Sequence, residues 1–312
     1  MSDTFDEFSF VAEQAEAAGI ATPETAHERL TIPLEDGRSL SALRWGSESP
    51  RVTFLHGAGL NAHTWDTTIL ALGIPALAID LPGHGDSSWR DDADYRPRTI
   101  APDIAAALDA WTDAPQVLVG QSLGGIVAAA WTAAHPEFVE SLVLVDVTPG
   151  IDPGEGPAVL REFFSGPTDY ATRDELVDRA MAFGLGGDRR ATERGVYLNS
   201  RVRPDGRVEW KHHMARLAAT ALAPTSSGTT EPDAAAPARE PVLGGHGWDD
   251  LAAARVPLML IRGTQGYVSP ANLAEFEQRL PHASVVNVEA GHNVQENIPV
   301  ELANLVRDRI AD

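Results

Sequence analysis

Ser122 stands at the centre of Gly120-Gln-Ser-Leu-Gly124, where an apolar run (Val117, Leu118, Val119) gives way to a small-residue helical pattern from Gly125 to Ala134. A strand that turns this sharply into a helix holds its central residue in a strained backbone conformation, so residues without a Cβ must flank it. Gly120 and Gly124 meet that need. The hydroxyl is then lifted above a sheet edge at a helix N-terminus, and the N–H of Leu123 points at any oxyanion that develops beside it. The chemistry open to such a serine is nucleophilic attack on an activated carbonyl. A glycine-rich turn whose serine only caps its helix would carry the same five residues, so the rest of the chain has to decide.

Three further features stand where such a serine would need them. His56-Gly-Ala-Gly-Leu60 ends an earlier apolar run, and the N–H of Ala58 is placed to supply a second oxyanion donor, with Gly57 and Gly59 letting the backbone approach closely. Glu289-Ala-Gly-His292 ends the last apolar run and puts an imidazole on a loop at the carboxyl edge of a sheet, where open α/β sheets bind ligands. Asp146 ends the run that follows the Ser122 helix. Its bland reading is a strand-end aspartate making backbone hydrogen bonds.

The elements that must position these residues are short apolar strands alternating with helices. Strands are predicted at 52–56, 75–80, 116–120, 142–147, 257–263 and 284–288, and helices at 61–72, 99–111, 125–134, 270–280 and 299–310. Near-continuous Val, Leu and Ile content in the strands argues a mostly parallel sheet covered on both faces, the α/β class. A hairpin precedes it, because Glu35-Asp-Gly-Arg38 separates two alternating runs, Arg29–Leu34 and Ser39–Trp45. The rhythm breaks after residue 149. Helical patches follow at 158–164, 173–183, 191–199 and 210–222, with no apolar strand runs among them. The chain therefore divides into an acidic extension (1–28), a first core part (29–149), an inserted helical cap (150–247) with a flexible loop (223–241), and a second core part (248–312). The extension reads as a loosely attached surface helix or a disordered arm.

Composition narrows the function. The 312 residues carry a net charge of −21. That charge disfavours nucleic acid and anionic membranes as partners, since both need a basic face. Lys211 is the only lysine, and there are no cysteines, so disulfides, thiolate catalysis and Cys-ligated zinc are ruled out. No apolar run reaches about 20 residues, the length of a transmembrane helix. Met1–Phe10 is acidic and does not resemble a secretory signal, which makes the cytoplasm the expected location.

Four motifs in register carry a family resemblance: His56-Gly-Ala-Gly, Asp80-Leu-Pro-Gly-His-Gly-Asp-Ser87, Gly120-Gln-Ser-Leu-Gly-Gly125 and Ala290-Gly-His292. The chain resembles the α/β-hydrolase fold superfamily, in its capped branch that hydrolyses small esters and lactones, over residues 30–310. The resemblance implies Ser122 as nucleophile, His292 as general base, Ala58 and Leu123 as oxyanion donors, and no cofactor or metal. The order Ser122, Asp146, His292 is the order of that family's triad. It marks the loop 80–87 as mainly structural, with His84 and Asp86 as scaffold first and pocket lining second.

One departure concerns the acid. Many relatives carry it after the strand preceding the histidine strand, but here that loop is Gly263-Thr-Gln-Gly-Tyr-Val-Ser269, with Gly266 at the acid's place. A subset of relatives takes the acid from the end of the strand after the serine helix, which favours Asp146. On this reading Gly266→Asp should restore part of the activity lost in Asp146→Asn, unless residue 266 needs a positive φ. In the cap, Trp210, His212, His213 and Met214 form a patch expected to pack the cap on the core, or else to shape the substrate pocket. The same triad would also serve carbon–carbon bond hydrolysis, enol-lactone hydrolysis or perhydrolysis. Hydrolysis of acidic carbon–carbon substrates would call for a basic clamp such as Arg262 or Arg161. A ligand-binding protein that keeps the fold without turnover is the alternative from a different class.

Overall fold

The computed structural model describes residues 6–21, 25–151, 162–163, 166–184, 186–217 and 246–310. Its strands are β1 (His27–Pro33), β2 (Ser39–Trp45), β3 (Val52–Leu55), β4 (Ala76–Asp80), β5 (Gln116–Gln121), β6 (Val139–Val145), β7 (Asp169–Tyr170), β8 (Ser200–Val202), β9 (Val208–Trp210), β10 (Leu258–Gly263) and β11 (Ser284–Val288). Eight of them form one sheet in the order β1-β2-β4-β3-β5-β6-β10-β11. β1, β2 and β4 pair antiparallel, and β4, β3, β5, β6, β10 and β11 run parallel.

Successive side chains of a strand face opposite ways, so a run that is apolar at every position needs cover on both faces. β5 shows the sorting: Leu118 joins one buried cluster with Leu55, Ile79 and Leu144, while Val117 and Val119 join another with Phe54, Trp65 and Ile261. The main helices are α1 (Val11–Ala17), α2 (Asp66–Leu72), α3 (Pro97–Trp111), α4 (Leu123–Ala134), α5 (Arg173–Ala182) and α6 (Arg189–Asn199). α3 and α4 cover the first face, and α1 and α2, with the C-terminal helix Pro299–Arg307, cover the second. Parallel strands end on one edge of a sheet. β3, β5, β6 and β11 therefore deliver Ala58, Ser122, Asp146 and His292 to the same rim.

Two expectations change. The described part of the extension is docked: Val11 and Ala15 are buried, Gln14 donates to Thr67 at 3.3 Å, and Arg190 of α6 donates to Glu13. Phe8, Val11 and Ala15 form an apolar stripe at helical spacing, which α2 covers. The segment inserted between β6 and β10 is not purely helical either. Besides α5 and α6 it holds an antiparallel sheet in the order β7-β9-β8, and the helix expected from residue 210 begins only near 214. Strands of two or three residues leave no readable period in a sequence. The loop 223–241, Arg161 and most of the patch 158–164 lie outside the described residues.

Candidate active site

The serine turn has the conformation its sequence demands. Ser122 sits at φ 53°, ψ −121°, a region that L-residues occupy only under constraint. The constraint comes from packing. A Cβ on Gly124 would lie 2.3 Å from the Leu55 carbonyl oxygen, and one on Gly120 would lie 2.4 Å from that of Gly124. Only glycines let α4 come so close to β3 and β5. Ser122 N–H donates to the Val145 carbonyl at 3.2 Å, which ties the turn to the end of β6.

The loop after β3 lies against this turn: a Cβ on Gly57 would come within 3.1 Å of Ser122 Cβ and 2.1 Å of Gln121 Oε1. His56 holds the loop from inside. Its Nε2 accepts from Leu81 N–H at 3.0 Å, so Nδ1 carries the proton and donates to the Gly57 carbonyl at 2.8 Å. Complete burial pushes the His56 pKa down, against the opposing pull of Asp80, and this favours the neutral ring. Among the described residues no protein acceptor takes the N–H of Ala58 or of Leu123. Leu123 follows Ser122 directly, and Ala58 follows Gly57, the residue of this loop whose Cβ position faces Ser122.

Asp146 is fully buried, at φ 48°, and its carboxylate occupies a seat made of backbone. Gly263 N–H donates to Oδ1 at 3.1 Å and Tyr267 N–H to Oδ2 at 2.7 Å. The same Oδ2 lies 2.7 Å from Nδ1 of His292. A carboxylate partner requires the proton on Nδ1, which leaves Nε2 of a neutral ring as a base. Gln121 Nε2 donates to the His292 carbonyl at 3.3 Å, so the residue before the serine touches the backbone of the histidine. Tyr267 stacks on the imidazole with centroids 3.8 Å apart.

Gly266 explains itself here. A Cβ on it would sit 2.3 Å from both Asp146 oxygens, and its φ is not positive. The expected rescue of Asp146→Asn by Gly266→Asp is therefore corrected. Asparagine keeps the seat filled, so a side chain at 266 has no room unless residue 146 is also cut back. The obstacle is space, not backbone strain.

The remaining residues singled out in the sequence serve as scaffold. His84 is fully buried, and its pKa is driven down first by that burial. Asp86 accepts from Lys211 of the inserted segment at 2.8 Å. His213 stacks on Trp89 at 4.5 Å and meets the Tyr95 hydroxyl at 2.7 Å, while His212 stacks on Trp210, so the patch joins the inserted segment to the first core part. Arg262 donates to the Val268 carbonyl and to Asn287, supporting the loop after β10. Among the described residues no group of three or more His, Cys, Asp or Glu side chains is arranged to hold a metal ion. Sequence reasoning passed over Gln121 and Tyr267. The middle position of Gly-x-Ser is the one signal that pointed at Gln121.

Comparison with known proteins agrees with this fold. The model of the alpha/beta hydrolase family matches residues 54–305. The esterase Rv0045c of Mycobacterium tuberculosis is 36% identical over 310 residues, covering 97% of this chain and 95% of its own. Lipase LipV of the same organism is 28% identical over 277 residues, covering 87% and 97%. A crystal structure of esterase Rv0045c matches with a TM-score of 0.76 at 35% identity, covering 99% of both chains. With one family model spanning most of its length and a relative this similar from end to end, the chain belongs to the α/β-hydrolase family.

Proposed function

We propose that this protein is a serine hydrolase that cleaves a small carboxylic ester or lactone through an acyl-enzyme. Ser122 is the nucleophile, His292 the general base and Asp146 the acid. The observation that carries the reading is the 2.7 Å contact between His292 Nδ1 and a fully buried Asp146, on the rim that also holds Ser122. Nε2 of His292 takes the Ser122 proton as Oγ attacks the carbonyl carbon, and Asp146 stabilises the imidazolium that forms. The negative charge on the former carbonyl oxygen is met by the N–H groups of Ala58 and Leu123. Collapse of the tetrahedral species expels the alcohol, which leaves with the proton from His292. Water, deprotonated by the same ring, then releases the acid and restores the serine. No step calls for a cofactor.

Ester hydrolysis is also the activity in the name of the 36% identical relative. Carbon–carbon hydrolysis of an acidic substrate draws less support, because Arg262 is already engaged by Val268 and Asn287. The substrate is a small molecule, and the net charge of −21 disfavours nucleic acid and anionic membrane as partners. Among the described residues no helix is long and apolar enough to cross a membrane. We place the enzyme in the cytoplasm. A fluorophosphonate should label Ser122 stoichiometrically. Ser122→Ala should fold normally yet lose on the order of 10⁴- to 10⁶-fold in kcat on p-nitrophenyl acetate. Near-parental turnover by that variant would refute the assignment.

A further inference from the structure

The loop carrying Ala58 is flanked by two glycines, and Gly59 adopts φ 80°. Such a segment has little rotational stiffness of its own. On its inner side the Gly57 carbonyl is pinned by His56 Nδ1 at 2.8 Å and by Leu60 N–H at 3.2 Å. Because a trans peptide is planar, fixing that carbonyl also sets the direction of the Ala58 N–H, which lies opposite it. On its outer side the restraint comes from the cap. Asn199, the last residue of α6, donates through Nδ2 to the Gly59 carbonyl at 2.7 Å. Asn61, at the end of the same loop, donates through its Nδ2 to the Leu198 carbonyl at 3.0 Å. Two side-chain amides thus cross the same seam in opposite directions, each closing on the backbone beside the other.

We infer that Asn199 is a positioning residue of the cap, which with Asn61 clasps the 57–61 loop and holds the Ala58 N–H in line for the oxyanion. The inference rests on the proposed acyl-enzyme mechanism. The Asn199 amide reaches the core through one end. Oδ1 of Asn199 is buried and, among the described residues, has no hydrogen-bond partner. The amide is bonded only through the donor that meets the loop. Asn61 differs, since its Oδ1 also accepts from His63 N–H and caps the short helix that follows.

The test uses the full chain and three variants: Asn199→Ala, Asn199→Asp and Asn61→Asp. The aspartates keep size and shape but replace a donor with an oxygen that repels the facing carbonyl. Deleting one oxyanion donor outright costs about 10²- to 10³-fold in kcat. Loosening one should cost less, roughly 10- to 100-fold, with KM within about threefold and the melting temperature close to the parent's. Affinity for an aryl boronic acid, which forms a tetrahedral adduct on the serine, should weaken by the same factor as kcat/KM. Parental kcat in both Asn199 variants would overturn the clasp, as would a fall in kcat with unchanged boronate affinity. Should Asn199→Ala not fold, Asn61→Asp reads the same seam from the core side, and parental boronate affinity there overturns it too. Fluorophosphonate labelling of the parent keeps the two ideas apart. If Ser122 fails to label, the mechanism itself falls; if it labels and the variants behave like the parent, only the clasp falls.

Discussion

Two histidines of this protein face a buried aspartate in nearly the same way. His292 Nδ1 lies 2.7 Å from Asp146 Oδ2, and His63 Nδ1 lies 2.9 Å from Asp66 Oδ2. They differ at the other nitrogen. Nε2 of His63 meets Glu7 at 3.1 Å, and Glu7 is in turn bound by Arg29, which also pairs with Asp80. Burial alone would push the His63 pKa down. Attraction to Asp66, with hydrogen bonds to Asp66 and Glu7, outweighs it and raises the value to about 9. That ring is a fixed cation at neutral pH and rivets the N-terminal segment to the core. Among the described residues His292 has no second carboxylate, and its side chain is 14% exposed against 2% for His63. The pair with an aspartate does not make a base. On the proposed mechanism, what decides the role is whether the far nitrogen is left open.

The comparison can be broken most severely at Asp146. Asp146→Asn presents an amide N–H to His292 Nδ1, which favours the wrong tautomer, so kcat should fall about 10⁴-fold with the fold intact. A kcat within about tenfold of the parent would mean that Asp146 is only a strand-end aspartate. Gly266→Ala comes next. Its Cβ must displace the carboxylate it would meet at 2.3 Å, and kcat should fall roughly 100-fold with KM little changed. Parental activity in that variant would show that the seat tolerates a shift. The smallest effect on turnover belongs to His63→Gln, with kcat within about threefold. Its signature is in stability. A folded-state pKa of about 9 exceeds the unfolded value of about 6.5, so the contribution is complete below about 6.5 and is lost as pH rises through 9. The parent should be more stable than the variant at pH 6 by on the order of 2 kcal/mol, a gap that closes by pH 10. Melting curves of both proteins across that range would check it, and parallel profiles would show that His63 is not the titrating group.

Much of the frame was legible because its signals are local. Gly120, Gly124 and the apolar runs announced the serine turn and the parallel sheet, and the chain order placed His292 on the same rim. Gly266 was legible only as a missing acid. That the absent Cβ makes room for another residue's carboxylate depends on contacts across more than a hundred residues. The seam between Asn61 and Asn199 and the ion pairs of Glu7 were hidden for the same reason, since each joins residues far apart in the chain. The cap sheet was missed because β7, β8 and β9 are too short to show alternation, and β9 runs into a stretch whose composition suits a helix.

The seat of Asp146 has a consequence for how such proteins are told apart. Thr264, Gln265 and Tyr267 contribute backbone to that loop, and backbone is common to every residue except proline. Their side chains can drift without erasing the seat. What the arrangement forbids is bulk at position 266. On the proposed mechanism, this hydrolase borrows its acid from the neighbouring strand and is marked in its sequence less by a residue it possesses than by a side chain it must do without.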